Sequence, residues 1–386
     1  MDSIKDALKY QQIRDAGFDD KEITFFDLMG KPEDEICSYL PSFFYHSNIL
    51  HTVNGAQREI LCDKIATHHF LNAIDVATPT MVGVWHPIFG VTGDGRPMTT
   101  VAQFTSELEN LLSGRAQLDL IFKPRDGGGG NDIFAATFVK TSGGKVAALI
   151  DNQPQSMDQF FAGLPKEPYS IAGKPSQGWV VQVKVEQHPD MGRFNESSLN
   201  TLRIGTYITK PQNGTGNAPE VLLDYACLRV GRAGANSDNW STGGVMIRID
   251  LETGRLGRGR FAPEYGGAFL EEHPDNNLHF SGLVLPYWDE AKQLCLRLAK
   301  ALPSVRSVGW DVAITKEGPL IIEGNCPWGI FNPQANDVGY FTPERRARYA
   351  ASGDPMPARQ LPKKRALPGQ SKRSWTMYKL RNKLGL

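Results

Sequence analysis

Gly309-Trp310-Asp311-Val312-Ala313-Ile314, followed by Glu323-Gly324-Asn325, decides how this chain folds. Asp311 ends one apolar run, and Glu323 and Asn325 end the next, Pro319-Leu320-Ile321-Ile322. Side chains two apart on a strand share a face, so Glu323 and Asn325 point the same way. Three oxygen donors at strand ends are what one or two Mg²⁺ ions need, because Mg²⁺ takes hard oxygen ligands and completes its shell with water and phosphate. Solvated strand ends carry the same pattern, since clustered carboxylates mark sites only statistically.

Working upstream, Leu118-Asp119-Leu120-Ile121-Phe122-Lys123-Pro124 reads as a strand and Ile133 to Val139 as its return, with Val146 to Ile150 as a third. The turn between the first two carries Gly127, Gly128, Gly129 and Gly130. Glycines let backbone amides approach phosphate oxygens and let a loop close over a nucleotide. No Gly-Lys-Ser/Thr follows and the next element is a strand, which excludes a Walker A loop and a dinucleotide fingerprint. An ordinary flexible turn remains the alternative, and the strand-terminal Lys123 argues against it.

Other pieces follow the same logic. Lys64 opens a helix read from Leu61 to Ile74, as a second phosphate-directed cation or a plain surface lysine. Val180 to Val185, with Gln182 and Val183, reads as a strand whose backbone could hold adenine, or as a core strand. Arg203 lies between apolar neighbours, and a half-buried guanidinium needs an anion. A γ-phosphate, an acyl phosphate or a structural carboxylate would serve.

Composition excludes several classes. The 386 residues suffice for one multi-lobed domain or two domains. The 42 basic and 42 acidic side chains cancel, so no global field argues for nucleic acid. Five scattered cysteines with no CxxC fit a reducing cytosol and argue against structural zinc. The charged start has no signal-peptide character, and no apolar run is long enough to span a membrane; a cytoplasmic location is expected. Residues 1–60 read as mostly helical, 61–187 as a small lobe, 188–350 as a large lobe and 351–386 as a basic, proline-containing tail. The best helix is Asp289 to Leu302, with Ala291, Leu294, Cys295, Leu298 and Leu302 on one stripe. From Pro357 onward there are nine Lys/Arg and no Asp/Glu. Trp375, Tyr378, Leu380 and Leu384 interleave with these charges, so the tail is either a basic amphipathic helix for an acidic partner or surface, a packed helix, or a disordered end. Mixed strands and scattered helices give an α+β class.

Taken in order, Asp63-Lys64, Phe122-Lys123-Pro124 with its glycine turn, the 180–185 strand, the Arg203 strand and Asp311…Glu323-x-Asn325 resemble the ATP-grasp superfamily over about residues 60 to 335. Gln187-His188-Pro189, Asn200-Thr201-Leu202-Arg203, Asp238-Asn239 with Gly243-Gly244, His273-Pro274, Leu285-Pro286-Tyr287-Trp288 and Gly309-Trp310-Asp311 resemble its sugar-transfer-associated branch, relatives of glutamate-ligase-like enzymes. The resemblance implies two α+β lobes clasping ATP. It implies Lys64 and Lys123 on the α- and β-phosphates under the 127–130 loop, adenine on the backbone near Gln182 and Val183, and Mg²⁺ on Asp311, Glu323 and Asn325. Arg203 would face the γ-phosphate, with Arg203 and Lys123 as the catalytic cations. Asp238, Asn239, Ser241, Gly243, Gly244 and His273 would meet the substrate, although turn chemistry also explains these residue types. Many relatives have Glu at the position of Gln182, and some carry arginine just before the aspartate, where Gly309 and Trp310 stand here. The implied activity is ATP-dependent joining of a small-molecule carboxylate to an amine through an acyl phosphate. A small-molecule kinase and a non-catalytic nucleotide-binding protein of polysaccharide biosynthesis are the alternatives.

Overall fold

A computed structural model describes residues 2–127, 132–150, 152–165, 177–211 and 218–363. Seven strands form the first sheet: β1 (Met81–Trp85), β2 (Val91–Thr92), β3 (Gln117–Pro124), β4 (Phe134–Lys140), β5 (Val146–Ile150), β6 (Gln153–Ser156) and β7 (Trp179–Val183), ordered β2-β1-β7-β3-β4-β5-β6. Seven more form the second: β8 (Thr201–Ile208), β9 (Val221–Val230), β10 (Val245–Ile249), β11 (Leu256–Phe261), β12 (Phe269–Leu270), β13 (Ser307–Thr315) and β14 (Gly318–Asn325), ordered β12-β11-β10-β9-β8-β13-β14. Neighbours in both sheets are antiparallel. The class is α+β, as expected.

Strand alternation explains the layering. On β3, Leu118, Leu120 and Phe122 are buried in a core with Phe104 and Leu108 of the Val101–Leu111 helix. The intervening Ile121 and Lys123 face a cleft, together with Ala135 and Gln182. On β8, Leu202 and Ile204 pack in one core with Leu294 and Leu298 of the Trp288–Ala301 helix. Thr201 and Arg203 face the same cleft from the other side. Ile13, Phe18, Ile23 and Phe25 of the N-terminal region share a core with Cys227 of β9, Met246 of β10 and Trp240 of the short turn between those strands.

Two local readings shift. The 61–74 helix is broken: Glu59–Cys62 ends, Asp63 is extended, and its side chain caps Lys64–Ala73 by accepting from Ile65 N–H at 3.0 Å. The apolar Phe104, Leu108, Leu111 and Leu112 predict a short helix from Thr105 to Leu112, but it runs from Val101 to Leu111, because Thr100 and Gln103 form a capping box.

The first part of the basic tail is packed. Arg346 donates to Pro357 O at 3.0 Å, Gln12 to Pro362 O at 3.1 Å and Leu361 N–H to Glu33 at 2.8 Å, with Leu361 buried. Residues 364–386, including Trp375 and Tyr378, lie outside the described residues. A chain ending at residue 356 is therefore expected to lose about 3 kcal/mol of stability, from the apolar area of Leu361 and three hydrogen bonds. An unchanged denaturation midpoint would contradict this packing.

Candidate active site

Four adjacent strands of the second sheet deliver one row of charge. Arg203 on β8 stands opposite Asp311 on β13, which stands opposite Glu323 on β14. Arg229 on β9 stands opposite Thr201, one pleat along the same face. Asp311 is thus not at a strand end. It lies in the middle of β13, whose nine residues are all buried, and this corrects the strand-end reading. The apolar run continues through an aspartate because two arginines compensate its charge. Arg203 donates Nε to Oδ1 and Nη2 to Oδ2 at 3.1 Å, and Arg229 Nη2 reaches Oδ2 at 2.7 Å. Opposite charges directly across antiparallel strands stabilise the pairing. A register shift beside Asp311 leaves Ile322 as an extra residue on β14. Such bulges re-aim side chains next to sites, and here Ile322, Glu323 and Asn325 all line the cleft.

That cleft is a cavity of about 250 Å³ between the sheets. Lys123, Gln182, Val183, Arg203, Asp238, Asn239, Asp311, Glu323 and Asn325 line it, so the structure gathers half of the site residues singled out in the sequence. Lys123 is 6 % exposed, and its ammonium makes no hydrogen bond or ion pair among the described residues. Burial lowers its pKa from 10.5 to about 8, with Glu323 opposing that shift and Lys64 adding to it. Asp311 shifts in the opposite way to a buried carboxyl. Burial opposes its charge, but the Arg203 and Arg229 guanidinium groups outweigh burial and hold it below the ordinary range. Asp238 is raised by burial in spite of Arg229, and its carboxylate accepts from Thr201 N–H at 3.0 Å.

The glycine turn is tied to the helix start. Lys64 Nζ donates to Gly127 O, Lys64 N–H to Arg125 O at 3.3 Å, and Arg125 pairs with Asp63 at 2.6 Å. Gly128, Gly129 and Gly130 lie outside the described residues. Lys64 lines a smaller recess beside the cavity, with Lys123, Gln182 and Glu323.

On the strand expected to hold adenine, β7 ends at Val183. Val183 N–H donates to Thr80 O at 2.9 Å and Lys184 N–H to Asp119 O at 2.8 Å, whereas Val185 N–H has no partner among the described residues. The free backbone donor therefore lies two residues beyond Val183. Pro79, Ile121, Ile133, Val185 and Ile322 supply apolar walls.

The expected substrate contacts divide. Asp238 and Asn239 line the cavity, whereas Ser241, Gly243, Gly244 and His273 do not. Asn239 caps a short turn by accepting from Ser241 N–H at 3.1 Å. Gly243 is left-handed at φ 104, and a Cβ on Gly244 would lie 2.6 Å from Asp238 O. These residues shape the loop that presents Asp238. His273 is 1 % exposed, with Nε2 3.0 Å from Gly231 O and Nδ1 accepting from Asp275 N–H. It fastens a loop.

Sequence reading passed over Arg229 and the segments 197–199 and 236–237 that close the cavity, and named Thr201 and Val185 only within longer stretches. Arg229 carried the signal that exposed Arg203, a cation inside an apolar strand. The loop residues among them carry no such signal until the fold brings them together.

Asp311, Glu323 and Asn325 fit a divalent cation by their own chemistry. The Asp311 and Glu323 carboxyl groups come within hydrogen-bonding reach of each other, and two like charges so close require a proton or a cation between them. Asn325 Nδ2 is buried without a hydrogen-bond partner among the described residues. The amide's ends exchange by rotation about the terminal torsion, which turns the oxygen to the same point. Gly309 fits too: a Cβ there would lie 3.1 Å from Arg203 Cδ, so its bareness makes room for the arginine stem.

No curated protein matches the chain. Among solved structures it is similar to N5-carboxyaminoimidazole ribonucleotide synthetase from Thermotoga maritima, at 12% identity and TM-score 0.37, over 79% of this chain and 52% of that one. It is similar to the ATP-grasp ligase PsnB complexed with minimal precursor, at 14% identity and TM-score 0.36, over 78% and 63%. It is also similar to D-alanine–D-alanine ligase from Bacillus anthracis, at 14% identity and TM-score 0.35, over 76% and 67%. The chain thus spans less than two thirds of the length of the first two. A family model described as sugar-transfer associated ATP-grasp matches residues 46–345. That match covers most of the 386 residues, and the chain belongs to the sugar-transfer-associated ATP-grasp family.

Proposed function

We propose that the cleft binds ATP with Mg²⁺ and uses it to activate the carboxylate of a small molecule as an acyl phosphate, which an amine then attacks to give an amide, ADP and phosphate. The observation that carries this reading is the buried Lys123, whose ammonium has no partner among the described residues, facing the Arg203–Asp311–Glu323 row across one cavity. A buried lysine with no partner awaits an anion, and a row of carboxylates with an orphaned amide awaits a cation. A nucleotide's phosphates with their metal supply both.

In this reading adenine lies against Ile121, Ile322 and Val185, with Val185 N–H donating to the ring. Lys64 and Lys123 meet the α- and β-phosphates, and Arg203 faces the γ-phosphate. Asp311, Glu323 and Asn325 would hold Mg²⁺, which when bound neutralises charge on the phosphate oxygens. Fixed cations aimed at spreading phosphoryl charge supply most of the rate enhancement in such transfers. The acid enters beside Asp238 and Asn239, and closure of the lobes excludes water from the acyl phosphate.

Incubating the protein with ATP, Mg²⁺, hydroxylamine and a panel of carboxylic acids tests the reading. A hydroxamate formed in step with ADP is expected for the cognate acid. ADP with a stable phosphorylated product and no hydroxamate would make the protein a kinase. Gly309→Ala is a second test. The added methyl would meet Tyr225 Oη at 2.9 Å and the Arg203 stem. About tenfold slower ADP formation is expected, with about 1–2 kcal/mol of destabilisation from overpacking. Unchanged kinetics would mean that the position of Arg203 does not matter.

A further inference from the structure

Asp311 holds two guanidinium groups. Arg203 gives it Nε and Nη2, and Arg229 gives it Nη2. Arg229 also donates to Thr201 Oγ1 at 2.7 Å and lies 3.7 Å from Asp238. Nη1 of each arginine donates to nothing among the described residues, and both side chains line the cavity opposite Lys123. The arginines thus line the cavity while both pair with Asp311, and Asp238 lies near Arg229 as a second carboxylate. The Asp311 carboxylate lies within hydrogen-bonding reach of the Glu323 carboxyl.

We propose that Arg203 and Arg229 form a two-arginine site for the phosphoryl group in transit, and that Asp311 occupies it until a divalent cation takes over the carboxylate. The proposal rests on the reading of Asp311 as a metal ligand. Its physical basis is charge balance in a buried site. A carboxylate that shares its charge with a divalent cation attracts guanidinium groups less, and a buried guanidinium left without an anion is costly. An oxyanion placed between the Nη1 groups restores the balance. Metal and oxyanion therefore bind with positive coupling, which linkage makes reciprocal. Arg229 becomes a second phosphoryl cation, and the absence of an arginine just before Asp311 is made good from β8 and β9.

Inorganic phosphate tests this without turnover. Its affinity for the full chain is measured by calorimetry with and without Mg²⁺, alongside a titration with a non-hydrolysable ATP analogue. Phosphate is expected to bind about tenfold or more tightly with Mg²⁺, within the usual range of coupling. Asp311→Asn is expected to bind phosphate without Mg²⁺ about as tightly as the unaltered protein does with it. Arg229→Met is expected to bind Mg²⁺ at least as tightly as the unaltered protein, because one competitor for Asp311 is gone, and to lose the coupling. Coupling of full size in Arg229→Met would mean that the ion bridges phosphate by itself, and would overturn the proposal. So would Asp311→Asn without metal-free phosphate binding, which decides the matter even if Arg229→Met does not fold. Failure of the ATP analogue to bind would instead overturn the reading of the cleft. Analogue binding with uncoupled phosphate overturns only the two-arginine site.

Discussion

Glu323→Ala is expected to stop ATP turnover while leaving the protein folded. The side chain lies on the cleft face of β14 opposite Asp311, and its carboxyl is within hydrogen-bonding reach of the Asp311 carboxyl. Removing it takes away one of two carboxylates for the proposed cation. It leaves Asp311 held by two arginines, which do not release it without a competing charge. A fall of about a thousandfold in ADP formation, or about 4 kcal/mol of lost transition-state stabilisation, is the expected size. Stability should hardly change, because two effects oppose each other. The variant relieves like-charge crowding at Asp311 and removes an anion that favours charged Lys123. Turnover by the variant within tenfold of the unaltered protein would sink the metal assignment, and a loss of cooperative unfolding would show Glu323 to be structural.

Much of this arrangement was legible in the chain. Lys123 was read at the end of its strand before the glycine turn, and i, i+2 spacing put Glu323 and Asn325 on one face. Arg203 was found because a cation inside an apolar strand has no structural excuse without an anion. The position of Asp311 in its strand was misread, since hydropathy counts an aspartate as the end of a run. Whether a run ends depends on partners from β8 and β9, more than 80 residues away in sequence. Arg229 was missed although its setting, Leu228-Arg229-Val230, resembles that of Arg203. Its meaning depends on the β8–β9 register, which a single sequence does not fix. His273 and Gly244 attracted attention for local reasons and proved to serve the loops that carry them. Val185 was read only as the end of the 180–185 strand, and its residue type does not single it out. Its candidacy comes from the backbone bonds of Val183 and Lys184, which are consequences of topology.

Lys123→Met is expected to make the protein more stable and unable to hold nucleotide. Lys123 is buried on the cleft face of β3 with no partner among the described residues, and burial brings its pKa from 10.5 to about 8. Below pH 8 the folded protein keeps a charge that the unfolded chain solvates better, which costs about 3 kcal/mol of stability. Between about pH 8 and 10.5 the unfolded state binds more protons at this position, so stability rises with pH through that window. Methionine fills similar space without charge, so Lys123→Met should gain about 3 kcal/mol near neutral pH and lose that rise. Nucleotide binding runs the other way. Only the ammonium form meets a phosphate oxygen with a charge-assisted bond, so affinity for an ATP analogue should fall as pH climbs above about 8. Lys123→Met should weaken that affinity by about a hundredfold at pH 7. Lys123→Arg should retain binding and remove the pH dependence, because arginine does not titrate there. Chemical denaturation and calorimetry across this pH range separate the two effects. A methionine variant that is less stable, or that binds the analogue as before, would mean that Lys123 already has an anionic partner in the protein and is not waiting for one.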